Sequence, residues 1–279
     1  NHTATAKTAS PGVDEFLIGA SNNAAATNLA AYINTNNIID FSGDAATASG
    51  ATVYLRIHPH QHWFDIAVIG ILLFWLNQNG ETRQRIKTYK DEIDDFRLWE
   101  SDEAAFRTVG NIKRLNRHKI YEINLVNCYL IRTNLNHTNL KGSNLNSANI
   151  SNSSLIESNL ENTRLNQTNL ENSNLNQANL KNAYASGANF KDAFLIKAQF
   201  ENAFLIKSNF KNAFLMEANM QNSYLMGADF ENASLYKADL RGAKGLTIEQ
   251  LTRAKTLYLA RFDNEILEQI KFAIPELIG

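Results

Sequence analysis

Three histidines at alternate positions, His58, His60 and His62 in "HPHQH", come closest to a chemical constellation in this 279-residue sequence. On an extended strand they share one side, the arrangement in which imidazoles converge on a metal ion. Asp65 is the only neighbouring carboxylate, and the segment reads as a solvated linker. Cys128 is the single cysteine, which excludes an internal disulfide framework and most thiolate metal sites. No phosphate loop, dinucleotide fingerprint, hydrolase elbow or paired-carboxylate arrangement occurs. Asn-x-Ser/Thr tripeptides such as Asn136–Thr138 follow from composition alone. The expectation is therefore a non-enzymatic chain with no catalytic, cofactor or metal residues.

The formal net charge of -1 supplies no global field for nucleic acid or an acidic ligand. Proline occurs three times, while Asn, Ala and Leu abound. The chain begins at Asn1 rather than Met, as a fragment or processed product would, and an upstream signal or anchor is compatible with that.

Four zones follow one another: 1–60, 61–120, 121–245 and 246–279. In the first, "EFLIG", "NIIDF" and "ATVYLRI" predict short strands around a helical "NNAAATNLAAYINT", a small α+β module. Residues Phe16–Ser21, Ala26–Asn34 and Ala46–Val53 resemble a module of phage tail and fibre proteins. That resemblance implies, as an alternative function, a structural part of a phage tail or contractile apparatus.

The second zone opens with "WFDIAVIGILLFWL", fourteen residues from Trp63 to Leu76 interrupted only by Asp65. A spanning helix needs roughly 20 apolar residues, and shorter runs serve as core or interfacial helices. Trp63 and Trp75 flank the run as interface residues do, and four cations follow in "ETRQRIKTYK". Two readings stand: a membrane anchor and a buried capping helix. As an anchor it would place the C-terminal part in the cytoplasm, and without one the chain would be cytoplasmic. The helix continues through "RQRIKTYKDEIDDFRLWES" with Ile86, Tyr89, Ile93 and Phe96 on one face. A second helix is predicted over 101–118, with Ser101 as N-cap and Asp102 and Glu103 in its first turn. Together they would cap the zone that follows.

From Leu125 to Leu240 every fifth residue, twenty-four in all, is large and apolar except Ala185. Two places before such positions, from Cys128 to Ala243, stands Cys, Thr, Ser or Ala without exception. The place between, from 124 to 239, holds Asn or Asp fourteen times in twenty-four. No helical or strand period fits. The text A-(N/D)-(L/F)-x-x, in "SNLNSANI", "QANLKNA" and "GADFENASLYKADLRGA", resembles the pentapeptide-repeat family. The resemblance implies a mainly β fold: a right-handed quadrilateral parallel β-helix with one pentapeptide per side and about six coils, roughly 29 Å tall at strand spacing. The large and small residues point inward, so none of them can be catalytic, and Cys128 reads as structural. Ala185 leaves a potential void that Phe190 or Phe200 would fill, and Gly187 lets the backbone adjust.

After Leu240 the period ends. Thr247 and Gln250 form a capping box ahead of Leu251, Ala254, Leu257 and Tyr258 at helical spacing, and Ile266, Leu267 and Ile270 predict another helical turn. A helical cap would cover the last coil's edge. The "GLTIEQL" tail and the "DEIDDFRLWESDEAAFRTVGNIKRLN" leader resemble those of membrane-linked cyanobacterial relatives.

Function would sit on the outward residues. One branch of the family, the quinolone-resistance proteins, resembles DNA through rows of carboxylates. Here residues 121–245 hold eleven Lys/Arg and ten Asp/Glu, which demotes a DNA-mimic inhibitor. The absence of a basic stripe with stacking aromatics demotes nucleic-acid binding. Phe194, Ile196, Phe204, Ile206, Phe214, Met216, Tyr224, Met226 and Tyr236 point outward in the last three coils. Tyr129, Ile131 and Ile156 are the main apolar exceptions earlier. Steps of twenty stack Phe204 on Tyr224, and Phe194 on Phe214 on the opposite side. The expectation is a scaffold for a protein partner or for self-association through these stripes, with a possible membrane contact at Trp63–Leu76. Folding of the C-terminal helices or the N-terminal module over one stripe is the competing reading.

Overall fold

The computed structural model describes residues 6–8, 14–20, 51–56 and 62–278. The chain divides into two compact units, Asn1–Arg83 and Gln84–Gly279. In the first, strands β1 (Ala6–Thr8), β2 (Asp14–Ala20) and β3 (Ala51–Arg56) form an antiparallel sheet in sequential order, with Ala6 opposite Phe16 and Phe16 opposite Leu55. β2 and β3 coincide with the predicted "EFLIG" and "ATVYLRI" strands, whereas "NIIDF", the helix over 22–35 and His58 and His60 lie outside the described residues. His62 opens a helix.

That helix, α1 (His62–Asp95), joins the apolar run to the amphipathic segment without a break and stops short of the predicted end at 101. Among the described residues no helix is long and apolar enough to cross a membrane. Its last turns belong to the second unit, where Ile86, Tyr89 and the buried Ile93 meet the core. Helix α2 (Asp102–Arg117) starts where Ser101 accepts a hydrogen bond from the Ala104 amide, satisfying one of the first-turn donors. It buries Ala105, Val109, Ile112 and Leu115. Asn116 then links α2 to the repeat by accepting from the Asn139 amide at 2.7 Å and donating to the Asn139 carbonyl at 2.9 Å.

The repeat zone pairs with itself at a step of twenty. Parallel bridges run Asn124–Asn144, Tyr129–Asn149, Asn134–Ser154 and Asn139–Asn159, then again from 144 onward to Lys244. Four bridges per twenty residues make four five-residue sides. At nearly every corner the amide three residues on donates to the carbonyl of the large inward residue, as Cys128 does to Leu125 at 3.1 Å, while the Thr133 amide turns to the Ser153 hydroxyl at 3.0 Å. The residue before that donor has positive φ, close to 57° at Asn127, Asn152 and Asn222, which is a type II turn. All twenty-four such positions from Asn127 to Gly242 share this conformation. Asn is the commonest occupant and no β-branched residue appears, as the left-handed region demands.

Inside, the large column residues from Leu125 to Leu240 are at most 1% exposed. Ala185 shares its coil with Phe190 and Phe200, whose rings meet edge to face at 5.8 Å, and Phe190, Phe210 and Phe230 stack one above another. Small inward hydroxyls other than that of Ser158 are satisfied by backbone, as Thr138 donates to Leu135 at 2.6 Å and Ser173 to Ile150 at 2.7 Å. Cys128 is buried among them, and desolvation pushes its thiol pKa up to about 11.

Beyond Lys244 the step lengthens to twenty-two: Ser234 bridges Thr256 and Asp239 bridges Arg261. The extra two residues are taken up by α3 (Ile248–Thr252), closed by the Thr247–Gln250 capping box. The helical spacing through Leu257 and Tyr258 is thus overridden. The Lys255 amide donates to Ala233, returning the chain to the coil, and Leu257 is buried in it. Helix α4 (Asn264–Ala273) and a short 3-10 turn, Pro275–Leu277, follow, with Ile270 and Ile274 buried in the same core.

The corner constraint is testable at Asn202, exposed and at φ 58°. Asn202→Val should cost about 1–3 kcal/mol and lower the thermal midpoint, whereas Asn202→Gly should hold or raise it. Equal midpoints, followed by circular dichroism, would remove the corner as a determinant.

Candidate interaction surface

Because residues twenty apart stack, each side of the coil carries one outward column at the bridge position. Two of the four columns are amide ladders. On one, Asn169, Asn189 and Asn209 each donate to the Asn one coil earlier, at 3.3, 3.0 and 3.0 Å. Asn also serves the turn beside it: the Asn144, Asn159, Asn169 and Asn179 oxygens accept from the amide two residues on. This is the local reason that the repeat prefers Asn there.

The other two columns, on opposite sides, abandon that pattern in the later coils. One runs Arg164, Tyr184, Phe204, Tyr224, Lys244, and the other runs Asn174, Phe194, Phe214, Ser234. A ring at this position cannot accept from the amide two residues on. Asn166 and Asn176 of the coil before rescue the Ser186 and Ile196 amides at 3.1 and 2.9 Å. The rings therefore replace a residue that would have served the backbone better.

Tyr184 and Phe204 stack at 5.0 Å between centroids, Phe204 and Tyr224 at 4.6 Å, and Phe194 and Phe214 at 5.0 Å, all within 5° of parallel. The ring faces are turned to one another and their edges to solvent, so no open face remains between them for a base or sugar to stack on. Phe194 is 42% exposed, Phe214 37%, Tyr184 46% and Met226 62%. Phe204, Tyr224, Ile196, Ile206, Met216 and Tyr236 are half-buried in the same two stripes. All nine residues expected to point outward do so, and they gather into two ladders. Tyr184 stands one coil before the rings expected in the last three coils. A step of twenty back from Phe204 finds it. Tyr236 stacks on Tyr258 at 6.0 Å, which extends its stripe into the tail.

The two faces differ in charge. Beside the Phe204 ladder stand Arg164, Lys207 and Lys244, and Lys244 donates to the Tyr224 hydroxyl at 3.0 Å while lying 4.5 Å from its ring centroid. Beside the Phe194 ladder Lys197 lies 3.7 Å from Glu217. The corners between faces carry alternating Lys and Glu, as in Lys141–Glu161, Lys181–Glu201 and Lys191–Glu171. Toward the C-terminal end, Lys211 foremost and then Arg253 hold the Glu231 carboxyl below the usual range, and Arg241 does the same for Asp239. Among the described residues, no three His, Cys, Asp or Glu side chains gather as metal ligands.

The family model described as pentapeptide repeats matches in eight copies over residues 123–162, 153–192, 163–200, 186–222 and 215–244. Proteins with such repeats fold as right-handed quadrilateral β-helices. No curated protein matches the chain. Among solved structures, a trypsin-treated form of QnrB1, a plasmid-mediated fluoroquinolone resistance protein, is 15% identical and covers 55% of this chain and 88% of its own, at TM-score 0.37. The pentapeptide repeat protein alr5209 from Nostoc Pcc 7120 is 23% identical over 39% of this chain and 84% of its own, at TM-score 0.31. HetL from the cyanobacterium Nostoc sp. strain PCC 7120, a pentapeptide repeat protein involved in heterocyst differentiation regulation, is 23% identical over 55% and 93%, at TM-score 0.22.

Burial at Cys128 gives a chemical test of the intact coil. With the thiol pKa raised to about 11, Cys128 should not react with a disulfide reagent at pH 8 until the protein unfolds. Rapid labelling of the native protein, followed by absorbance, would show the first coil to be open.

Proposed function

We propose that this run of pentapeptide repeats is a non-catalytic scaffold of six coils, closed by helical elements at both ends, that holds protein partners on the outward rings of its last three coils. The observation that carries the reading is the exchange of backbone-serving Asn for exposed, stacked rings on two opposite sides. Contiguous exposed aromatics mark contact surfaces. The Phe204 face carries cations without a carboxylate beside them, which suits a partner that brings apolar side chains flanked by acidic ones.

Phe204→Asn with Tyr224→Asn restores the residue type that the coil prefers. The double variant should keep its circular dichroism and melt within a few degrees of the parent. Its capture of bound proteins, measured side by side with the parent, should weaken at least tenfold. Unfolding of the variant would mean that the rings are internal packing, and unchanged capture would end the proposal for this face.

A membrane contact has its own support. Ile71, Phe74 and Trp75 are exposed on one stripe of α1, the pattern of a helix lying in an interface. Ile71→Ser with Phe74→Ser should move the chain from a membrane pellet washed in high salt to the supernatant. A parent protein already in the supernatant would remove the tether.

A further inference from the structure

From the Phe194 face, we infer that two copies of this chain pair through it, with coils antiparallel across a two-fold axis lying between the Phe194 and Phe214 rows. The inference rests on reading the exposed rings as a contact surface. Along this face the bridge column reads Asn174, Phe194, Phe214, Ser234, which is polar, ring, ring, polar in either direction. A two-fold axis along the side keeps each column opposite itself and reverses the rows. Phe194 then meets Phe214 of the second copy, and Ile196 meets Met216. In the adjoining column Lys197 meets Glu217, twice per dimer by symmetry. Both side chains are about half exposed and already lie 3.7 Å apart within the chain, so a second copy doubles the pair without burying a lone charge. Asn176 comes opposite Tyr236, a donor and acceptor facing a hydroxyl.

On the opposite face, an axis through the Phe204 row sets Arg164 against Lys244 and Lys207 against its own copy, like charge against like. An axis between the Phe204 and Tyr224 rows sets Tyr184 against Lys244 and Lys207 against Gly227, with no pair of opposite charges. Of the two faces, the Phe194 face alone matches opposite charges when it meets itself. The Phe194 face is one side wide and about five strand spacings tall, near 24 Å. That is below the area of a standard stable interface, so association belongs in roughly the micromolar range.

The test uses reversals of surface charge in the full chain, with thermal melting to confirm folding. The parent should self-associate in sedimentation velocity at tens of micromolar. Lys197→Glu and Glu217→Lys should each weaken this by roughly tenfold or more, because each sets like charges opposite one another twice. Mixing the two variants should restore association, since Lys and Glu again face each other in the heterodimer, and the double swap should associate as the parent does. A parent that stays monomeric at 100 micromolar overturns the inference, while the capture arm for the Phe204 face stands on its own. Association that ignores the reversals, or variants that fail to complement, place the contact elsewhere and overturn it equally.

Discussion

Every side of this coil must end in a residue with positive φ, and the rest of the repeat unit is arranged around that requirement. A type II turn after each large inward residue rotates the chain by one side, and four of them return it above its start. Only then do the amides of one coil find the carbonyls of the next, and only then does a column of Leu, Ile, Phe and Met close into a dry interior. The requirement also explains the composition. Asn tolerates the left-handed conformation at corners such as Asn127 and Asn202, and Asn at the bridge position caps the neighbouring turn. Asn abundance, which looks like low complexity, is the backbone's demand repeated at two of five places.

The five-residue period, the inward pair and the outward stripes were legible because side-chain type alone encodes them. Leu205 and Ala203 must be inside, so Phe204 must be outside. The corner conformation was not legible, because its occupants include Lys197, Glu217, Gln167 and His137, which share no property except the lack of a branched Cβ. The tail misled for a different reason. Ala254 and Leu257, three apart, suit a helix face as well as a coil, and only the hydrogen bond from Lys255 to Ala233 decides between them. Tyr184 lies one coil before the rings of the last three coils, and its stacking on Phe204 follows from the same twenty-residue step that links Phe204 to Tyr224. In α1 the apolar text of Trp63–Leu76 and the charged text after it form one helix, since local composition changes there without any stop signal.

The fold separates two tasks that most surfaces mix. Interior columns fix the stack regardless of what stands outside, and corner columns of alternating Lys and Glu neutralise themselves along the axis. Outward bridge positions on two sides are thereby left to vary, and here they hold rings where Asn would have been structurally cheaper.

Stacking the rings face to face has an electrical consequence. An aromatic ring is negative on its faces and positive at its C–H rim, and the ladder hides most of the faces while lining up the rims. Each stripe is apolar by area yet mildly electropositive along its crest, through a quadrupole rather than a net charge. Ions in solution screen separated charges over about 10 Å at 0.1 M salt but act little on short-range ring contacts. A contact seated on the crest would therefore keep its strength at ionic strengths that silence the Lys and Glu columns beside it, leaving those columns to set alignment rather than grip.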